Sequence, residues 1–411
     1  MLRTLRVRGF KSLKDVTLTF PRLTVLFGPN AAGKSNILDA VQALSTFATG
    51  RTLADALTEP IRGYPVEAFS FPPGGLAELL SGPARRFGLE ADLTIGSDAH
   101  KYRLEVEIEP LSAALSVVDE YLARLRKHSD EAAGVPALEV VDDRIRVRRK
   151  SSGKPRFEPL RQNFTMVSDL RLSGLEYAAI ARARGELSAW RTYYLDPRVS
   201  MRQAQPPAEV TDIGVLGADI APFLYRLRKE HPKAFDTIRR TLNSVIPSVN
   251  DLVVDLDTRR GTLDILVKQD GILFSSRIVS EGTLRVLGLC AIAANPWGGS
   301  LLAFEEPENG VHPRRIELIA QVLFHLAKSG ERQVIVTTHS PLLCGAVLRL
   351  ERESVGVASL LNVKRQDGKT IVEPFPLSGP LYDDLEISQG LTDTGEDRLF
   401  ENLLLRGYLD E

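Results

Sequence analysis

Eight residues, Gly28-Pro29-Asn30-Ala31-Ala32-Gly33-Lys34-Ser35, stand between an apolar run, Leu23-Thr24-Val25-Leu26-Phe27, and apolar residues at helical spacing, Ile37, Leu38, Val41 and Leu44. The run suits a strand buried on both faces, so the chain here reads strand, loop, helix. Glycines in such a loop let successive N–H groups face one point, and the positive end of the following helix stands behind them. The matching ligand is a polyphosphate. Gly28, Pro29, Asn30, Ala31, Ala32, Gly33, Lys34, Ser35 and Asn36 are the expected contacts, with Lys34 on the β and γ phosphates and the Ser35 hydroxyl on Mg²⁺.

With 411 residues, 43% of them hydrophobic and 26% charged, the chain is long enough for two or three domains with sizeable cores. Lys+Arg 52 against Asp+Glu 53 gives a net charge of −1, so any nucleic-acid surface has to be local. Cys290 and Cys344 are too few for a disulfide framework or a cysteine metal cluster, which points to a reducing compartment, the cytoplasm. The basic start Met1-Leu2-Arg3 lacks the apolar run of a signal peptide and no long apolar stretch follows, so no membrane is expected.

Leu5, Val7, Val16, Leu18 and Phe20 alternate around the loop Gly9-Phe10-Lys11-Ser12 and predict two strands. A Gly- and Pro-rich excursion covers 50–82, and a hairpin is expected at 87–95 and 102–108 around Gly96-Ser97-Asp98. The pattern predicts helices over 112–128, near 174–184, over 219–243, 283–294 and 314–328, and strands at 138–147, 191–195, 252–256, 263–267, 301–304 and 333–337. Pro206-Pro207 marks a boundary, and the strand–helix alternation beyond it argues for a parallel sheet covered on both faces.

Three further stretches carry chemistry. Glu305 and Glu306 follow the apolar strand 301–304, and carboxyl ends of strands border the ligand crevice in open α/β sheets. Glu305 is expected to ligate Mg²⁺ and Glu306 to deprotonate the attacking water. His339 ends the next apolar strand, where an imidazole can contact the γ phosphate or that water. Ser280-Glu281-Gly282 opens an apolar helix and offers either an anion site or an ordinary N-cap.

In this order, 28–35, Ser280-Glu281-Gly282, Phe304-Glu305-Glu306-Pro307 and Thr338-His339-Ser340-Pro341, the chain resembles the ABC-class ATPases. Within them it is most similar to the stand-alone AAA-type ATPases related to RecF, SMC and Rad50 heads and to the ATPase part of the OLD nucleases. The resemblance implies an α/β fold: a P-loop NTPase head of ABC type, with a mixed sheet, an antiparallel β subdomain and an inserted α+β domain. Lobe I would cover 1–110, the insertion 111–204, lobe II 205–375 and a tail 376–411. It also implies ATP hydrolysis with Mg²⁺ by a head-to-tail homodimer, with Lys34 and Ser35 acting in cis and Ser280 and Gly282 on the partner copy's nucleotide. Glu305 and Glu306 take the magnesium and base roles, His339 is the switch histidine, and Asn309 and Gly310 fall in the turn that crosses the dimer interface. Two residues depart from the family pattern: Glu305 stands where Asp is usual, and Glu281 puts a negative charge beside a phosphate site.

The long separation between Ser35 and Ser280 calls for a globular insertion. Arg144, Arg146, Arg148, Arg149, Lys150, Lys154, Arg156 and Arg161 lie there with Glu158 as the one acid in the same span. They make either a DNA-holding patch or a solvated surface balanced by acids elsewhere. Trp190, Tyr193 and Tyr194 fit a core better than a base-stacking platform, and Gln162 is the candidate coupling glutamine. Asp383, Asp384, Glu386, Asp393, Glu396 and Asp397 in the tail fit a charged surface better than a nuclease site. Two clients remain open: DNA, in genome maintenance or anti-phage defence, or an effector protein such as a toxin or nuclease held by nucleotide state.

Overall fold

The alternation near the N-terminus forms β1 (Leu2–Phe10) and β2 (Leu13–Thr19), which pair antiparallel with Leu5 opposite Leu18 and Val7 opposite Val16, all four buried. The structure, a computed structural model, describes residues 1–58, 61–127, 129, 131–150 and 154–375. The tail acids named above lie outside the described residues. Two compact units divide the chain. Among the described residues, the first is Met1–Phe20, Asn30–Trp190 and Val363–Glu373; the second is Pro21–Pro29, Arg191–Asn362 and 374–375. The apolar run before the phosphate loop, β3 (Leu23–Phe27), therefore belongs to the second unit.

The first unit holds α1 (Lys34–Phe47), α2 (Leu53–Ala56), α3 (Gly75–Ser81), β4 (Arg85–Ile95), β5 (Asp98–Ile108), β6 (Leu115–Arg124), β7 (Leu138–Val141), β8 (Arg144–Val147), β9 (Arg156–Pro159) and α4 (Ala178–Ser188). Its antiparallel sheet has eight strands in the order β2-β1-β4-β5-β6-β7-β8-β9. The expected hairpin is β4–β5, with Gly96 at φ +63 in its turn. The helix expected over 112–128 is instead strand β6. Pairing with β5 along most of its length, together with the Arg103–Asp119 ion pair at 2.5 Å, outweighs local propensity. The Gly- and Pro-rich excursion is anchored by Phe69, whose ring lies 4.9 Å from that of Phe87, itself 5.3 Å from Phe10 and 6.2 Å from Phe47. Of the expected insertion, residues 111–190 are counted with this unit and 191–204 with the other.

A buried acid ties the loop 163–167 to this sheet. Glu120, on β6, accepts the Met166 and Val167 N–H groups at 2.6 and 3.0 Å and the Tyr102 hydroxyl at 3.2 Å. The loop in turn reaches the end of α1, where the Thr165 hydroxyl donates to Phe47 O at 2.7 Å, and α2, where Leu53 N–H donates to Asn163 O at 2.6 Å. Burial pushes the Glu120 carboxyl up to about 7, against the offsetting effect of these donors. The folded state thus holds a proton that the unfolded chain releases near pH 4.5. Stability from this group is complete below that value and falls as pH rises toward 7, by a total on the order of 3 kcal/mol. Glu120→Gln starts from a lower stability, because its amide cannot accept both N–H groups and the hydroxyl. Urea unfolding between pH 5 and 8 should show a shallower decline for this variant than for the wild type; parallel slopes would contradict a titrating Glu120.

The second unit holds β10 (Trp190–Tyr193) from Arg191 on, α5 (Ile220–Glu230), α6 (Pro232–Val245), β11 (Val249–Asp257), β12 (Thr262–Gln269), β13 (Ile272–Ser275), α7 (Glu281–Ala293), β14 (Leu301–Glu305), α8 (Ile316–Lys328), β15 (Gln333–Thr338), α9 (Pro341–Glu353) and the start of β16 (Ala358–Gln366). The far end of β16 and most of β17 (Lys369–Pro374) are counted with the first unit. The helix predicted over 219–243 is two helices, because Pro232 cannot continue α5 but can open α6. The sheet order is β10-β14-β15-β3-β16, with β14, β15, β3 and β16 parallel. Trp190 and Tyr193 are buried, the latter stacked at 5.4 Å on Phe304. Among the described residues, no helix is long and apolar enough to cross a membrane.

Candidate nucleotide site

The phosphate loop keeps its shape through positive φ at Gly28 (+142), Ala31 (+63) and Gly33 (+111), the last two bracketing its tightest turn. Gly33 cannot be otherwise. A Cβ there would lie 2.1 Å from Thr370 Oγ1 and 2.9 Å from Ser12 Oγ. Those two hydroxyls form a cradle: they share a hydrogen bond of 2.7 Å, Thr370 donates to Ala32 O at 2.9 Å, and the Asn36 amide donates to Ser12 at 2.7 Å. Behind the loop, α1 starts at Lys34 with Gly33 as its N-cap, no side-chain cap and no acid in its first turn. Its positive end is therefore not offset by a carboxylate of its own.

Beside this loop the first unit has a cavity of about 460 Å³ lined by Lys11, Ser12, Asn36, Phe71 and Arg365 among others. Asp39, fully buried on α1, fixes Lys11 through an ion pair of 2.6 Å. Its lining combines the cations Lys11 and Arg365 and the ring of Phe71, a set that suits a nucleotide, with one carboxylate, Glu67. Sequence reasoning took Lys11 and Ser12 as part of an ordinary strand turn, and no local pattern there said more.

In the second unit, strand register aligns the remaining sites. Glu305 of β14 pairs with Thr337 of β15, Thr337 with Leu26 of β3, and Thr338 with Phe27. The start of the phosphate loop at Gly28 and Pro29, the acids Glu305 and Glu306, and His339 thus leave one edge of one parallel sheet. Glu306 sits at φ +46, a left-handed conformation that costs a non-glycine residue on the order of 1–3 kcal/mol. Its N–H donates to Thr337 O at 3.0 Å, and its own carbonyl accepts the Asn309 N–H at 3.1 Å. One carboxylate oxygen lies 3.1 Å from His339 Nδ1 and the other accepts the Asn309 amide at 2.5 Å. The acid is therefore aimed by partners on both sides. The Asn309 role was legible in principle from its spacing three residues past Glu306, yet sequence reasoning placed it only in the interface turn. Next to it, Glu308 is almost wholly buried; burial pushes its carboxyl up, while the Thr338 hydroxyl donates to it.

Ser280 is the N-cap of α7, its hydroxyl accepting the Thr283 N–H at 3.2 Å. Gly282 is required by the turn below it, since a Cβ would stand 2.2 Å from Gly310 O. The charge of Glu281 is met by Arg198 at 2.8 Å. Arg202 holds the approach to this turn by donating to Arg277 O at 3.0 Å and Val279 O at 2.8 Å. Glu305, Glu306, His339, Ser280 and Gly282 all belong to the second unit with Gly28 and Pro29, whereas Asn30 through Asn36 belong to the first.

The basic stretch 144–161 is largely matched by acids, most of them outside its span. Arg146 and Arg148 reach Glu139 at 3.1 and 2.6 Å, Arg161 reaches Glu107 at 2.6 Å, Arg149 lies 3.6 Å from Glu176, and Arg156 pairs with Glu158. Gln162 donates to Pro159 O at 3.0 Å.

A family model described as "AAA domain, putative AbiEii toxin, Type IV TA system" matches residues 23–345. Over 56 residues the chain is 43% identical to the "DNA replication and repair protein RecF" of Synechococcus sp. (strain JA-2-3B'a(2-13)), and equally to that of Picosynechococcus sp. (strain ATCC 27264 / PCC 7002 / PR-6). Each match spans 13% of this chain and only 14% of the relative. Among solved structures, an SMC head bound to the C-winged helix domain of ScpA is similar at a TM-score of 0.56 and 15% identity, over 92% of this chain and 98% of that one. An Smc head with an extended coiled coil, bound to the C-terminal domain of ScpA derived from Pyrococcus furiosus, is similar at 0.50 and 12%, over 95% and 99%. At such identities the likeness is one of fold.

Proposed function

The chain belongs to this AAA-domain family, and from that premise we propose that it is an ABC-class ATPase of the RecF and SMC kind, an ATP-driven switch whose two copies close head to tail around two ATP molecules. The observation that carries this reading is the parallel register of β14, β15 and β3, which brings the loop start, the acid pair and His339 to one sheet edge with Glu306 clamped by Asn309 and His339. Glu306 accepts the proton of the attacking water, and His339 fixes which face of the carboxylate is presented. Lys34 and the N–H groups of 28–36 hold the triphosphate. The Ser35 hydroxyl and Glu305 carboxylate, both hard oxygen donors, suit Mg²⁺, which supplies charge neutralisation on the phosphates when bound. Ser280 and Gly282 serve the partner copy's nucleotide. Val199 and Ile278, 59% and 70% exposed beside that turn, favour its being covered by a second copy. Buried free thiols at Cys290 and Cys344 fit a cytoplasmic setting.

DNA is the first client we propose, in genome maintenance or anti-phage defence, in keeping with the replication and repair role in the RecF name. A protein effector is the second, favoured by the ion-paired state of 144–161 and by the ScpA-bound SMC head. Arg144, packed at 5.5 Å on the Phe157 ring, and Lys154 are the cations there to test. Reversing both should lower the salt slope of duplex binding by about 0.9 for each phosphate no longer neutralised. An unchanged slope, with hydrolysis altered only by a co-purifying polypeptide, would move the client to protein.

A further inference from the structure

Two oppositely charged side chains in the second unit each carry a buried polar atom with no hydrogen-bond partner: Nε of Arg285 and one carboxylate oxygen of Glu308. Arg285 follows Gly282 by three residues and Glu281 by four on α7, so all three share one helix face. That face meets the acid turn, because Gly282 is packed on the Gly310 carbonyl. The charges around Arg285 are Glu281, Glu308, Glu306 and Asp196. Three of these acids are already engaged. Glu281 is held by Arg198; Asp196 accepts N–H groups of Arg198, Val199 and Ser200; Glu306 is held by Asn309 and His339. Of the four, Glu308 is the one with a buried oxygen that has no hydrogen bond, its other oxygen being taken by the Thr338 hydroxyl; Glu281, half-exposed, meets Arg198 through one oxygen.

A buried donor and a buried acceptor of opposite charge, each unsatisfied, define a second arrangement of the same parts in which they satisfy each other. We propose that Arg285 is a positioning residue for Glu306, engaging Glu308 when the Ser280 turn takes up the partner copy's nucleotide. The acid turn then moves as one piece with α7: Glu308 is two residues from Glu306, and Asn309, which holds Glu306, is next to it. Loading of one nucleotide site is thereby transmitted to the catalytic base of the other. Burial disfavours the charged form of each group while they are apart, lowering the pKa of Arg285 and raising that of Glu308, a cost that pairing them would relieve. The inference rests on the two-copy reading proposed above.

Steady-state ATP hydrolysis by the full chain tests it, using Arg285→Gln, Glu308→Gln, the double variant and Arg285→Lys. We expect kcat to fall about tenfold or more in each single variant, with KM changed little and the Hill coefficient for ATP moving toward one. The double variant should be no slower than the worse single, and Arg285→Lys should recover part of kcat. Effects of the two single variants that multiply in the double would overturn the pairing, as would a wild-type kcat in Arg285→Gln. A fall in kcat matched by equal loss of thermal stability, unrelieved by Arg285→Lys, would reduce Arg285 to a structural role and overturn the proposal. A wild-type protein that turns over ATP as a monomer would instead sink the two-copy reading itself.

Discussion

Glu306→Gln should lower ATP turnover by about 10²- to 10⁴-fold, the range for loss of a general base, while ATP remains bound. The size of the effect follows from the geometry. Glu306 is held at φ +46 between Thr337 and Asn309, with one carboxylate oxygen toward His339 Nδ1 and the other under the Asn309 amide. Glutamine fills the same volume, and its carbonyl oxygen can still accept from Asn309. The turn survives, and only the capacity to take a proton is lost. In the two-copy switch proposed above hydrolysis reopens the copies, so an inert site should hold them closed. Size-exclusion chromatography with ATP and Mg²⁺ should therefore show a dimer for Glu306→Gln and a mixture for the wild type. A variant that stays monomeric with ATP would contradict the two-copy reading, and one that hydrolyses at the wild-type rate would remove Glu306 from the base role.

How far the sequence carries this site depends on the range over which each contact acts. The strand, loop and helix around Lys34 were legible because three local signals agree: an apolar run, the paired glycines and a 3.6-residue apolar period. Glu305, Glu306 and His339 were legible as strand-end residues, since a parallel sheet collects its strand ends at one edge. The hydroxyl that closes the phosphate loop was not. Thr370 lies 338 residues from Ala32, on a strand that no motif announced. The misread β6 has the same origin: the segment was assigned from local spacing, whereas its partners Arg103 and Tyr102 lie on β5. Charge in 144–161 looked unbalanced because Glu107, Glu139 and Glu176, which balance it, stand outside the span. The Ser280 turn was legible as a helix start, but why residue 282 is glycine emerges only from the Gly310 carbonyl beneath it.

Gly33→Ala and Lys34→Ala should both remove ATP binding, by different physical routes that one pair of measurements separates. At Gly33 the φ of +111 excludes an L side chain, and the added Cβ would meet Thr370 Oγ1 at 2.1 Å and Ser12 Oγ at 2.9 Å. The loop must then leave its cradle, carrying the Ala32 carbonyl away from Thr370. Strain of on the order of 1–3 kcal/mol appears even without ligand, so the apoprotein melts earlier. Lys34→Ala leaves the loop backbone conformationally permitted and removes the cation expected on the β and γ phosphates. Loss of charged hydrogen bonds alone weakens binding by about 10- to 100-fold per bond. Adding Thr370→Ala to Gly33→Ala removes the clash with Oγ1 but not the φ penalty, so affinity should stay lost while melting recovers only in part. Fluorescent-nucleotide titration alongside thermal unfolding reads both quantities. Full ATP affinity in Gly33→Ala would show that the loop does not need its present shape to bind. Retained hydrolysis in Lys34→Ala would show that the triphosphate is held by some other cation, and the assignment of the whole loop would fall with it.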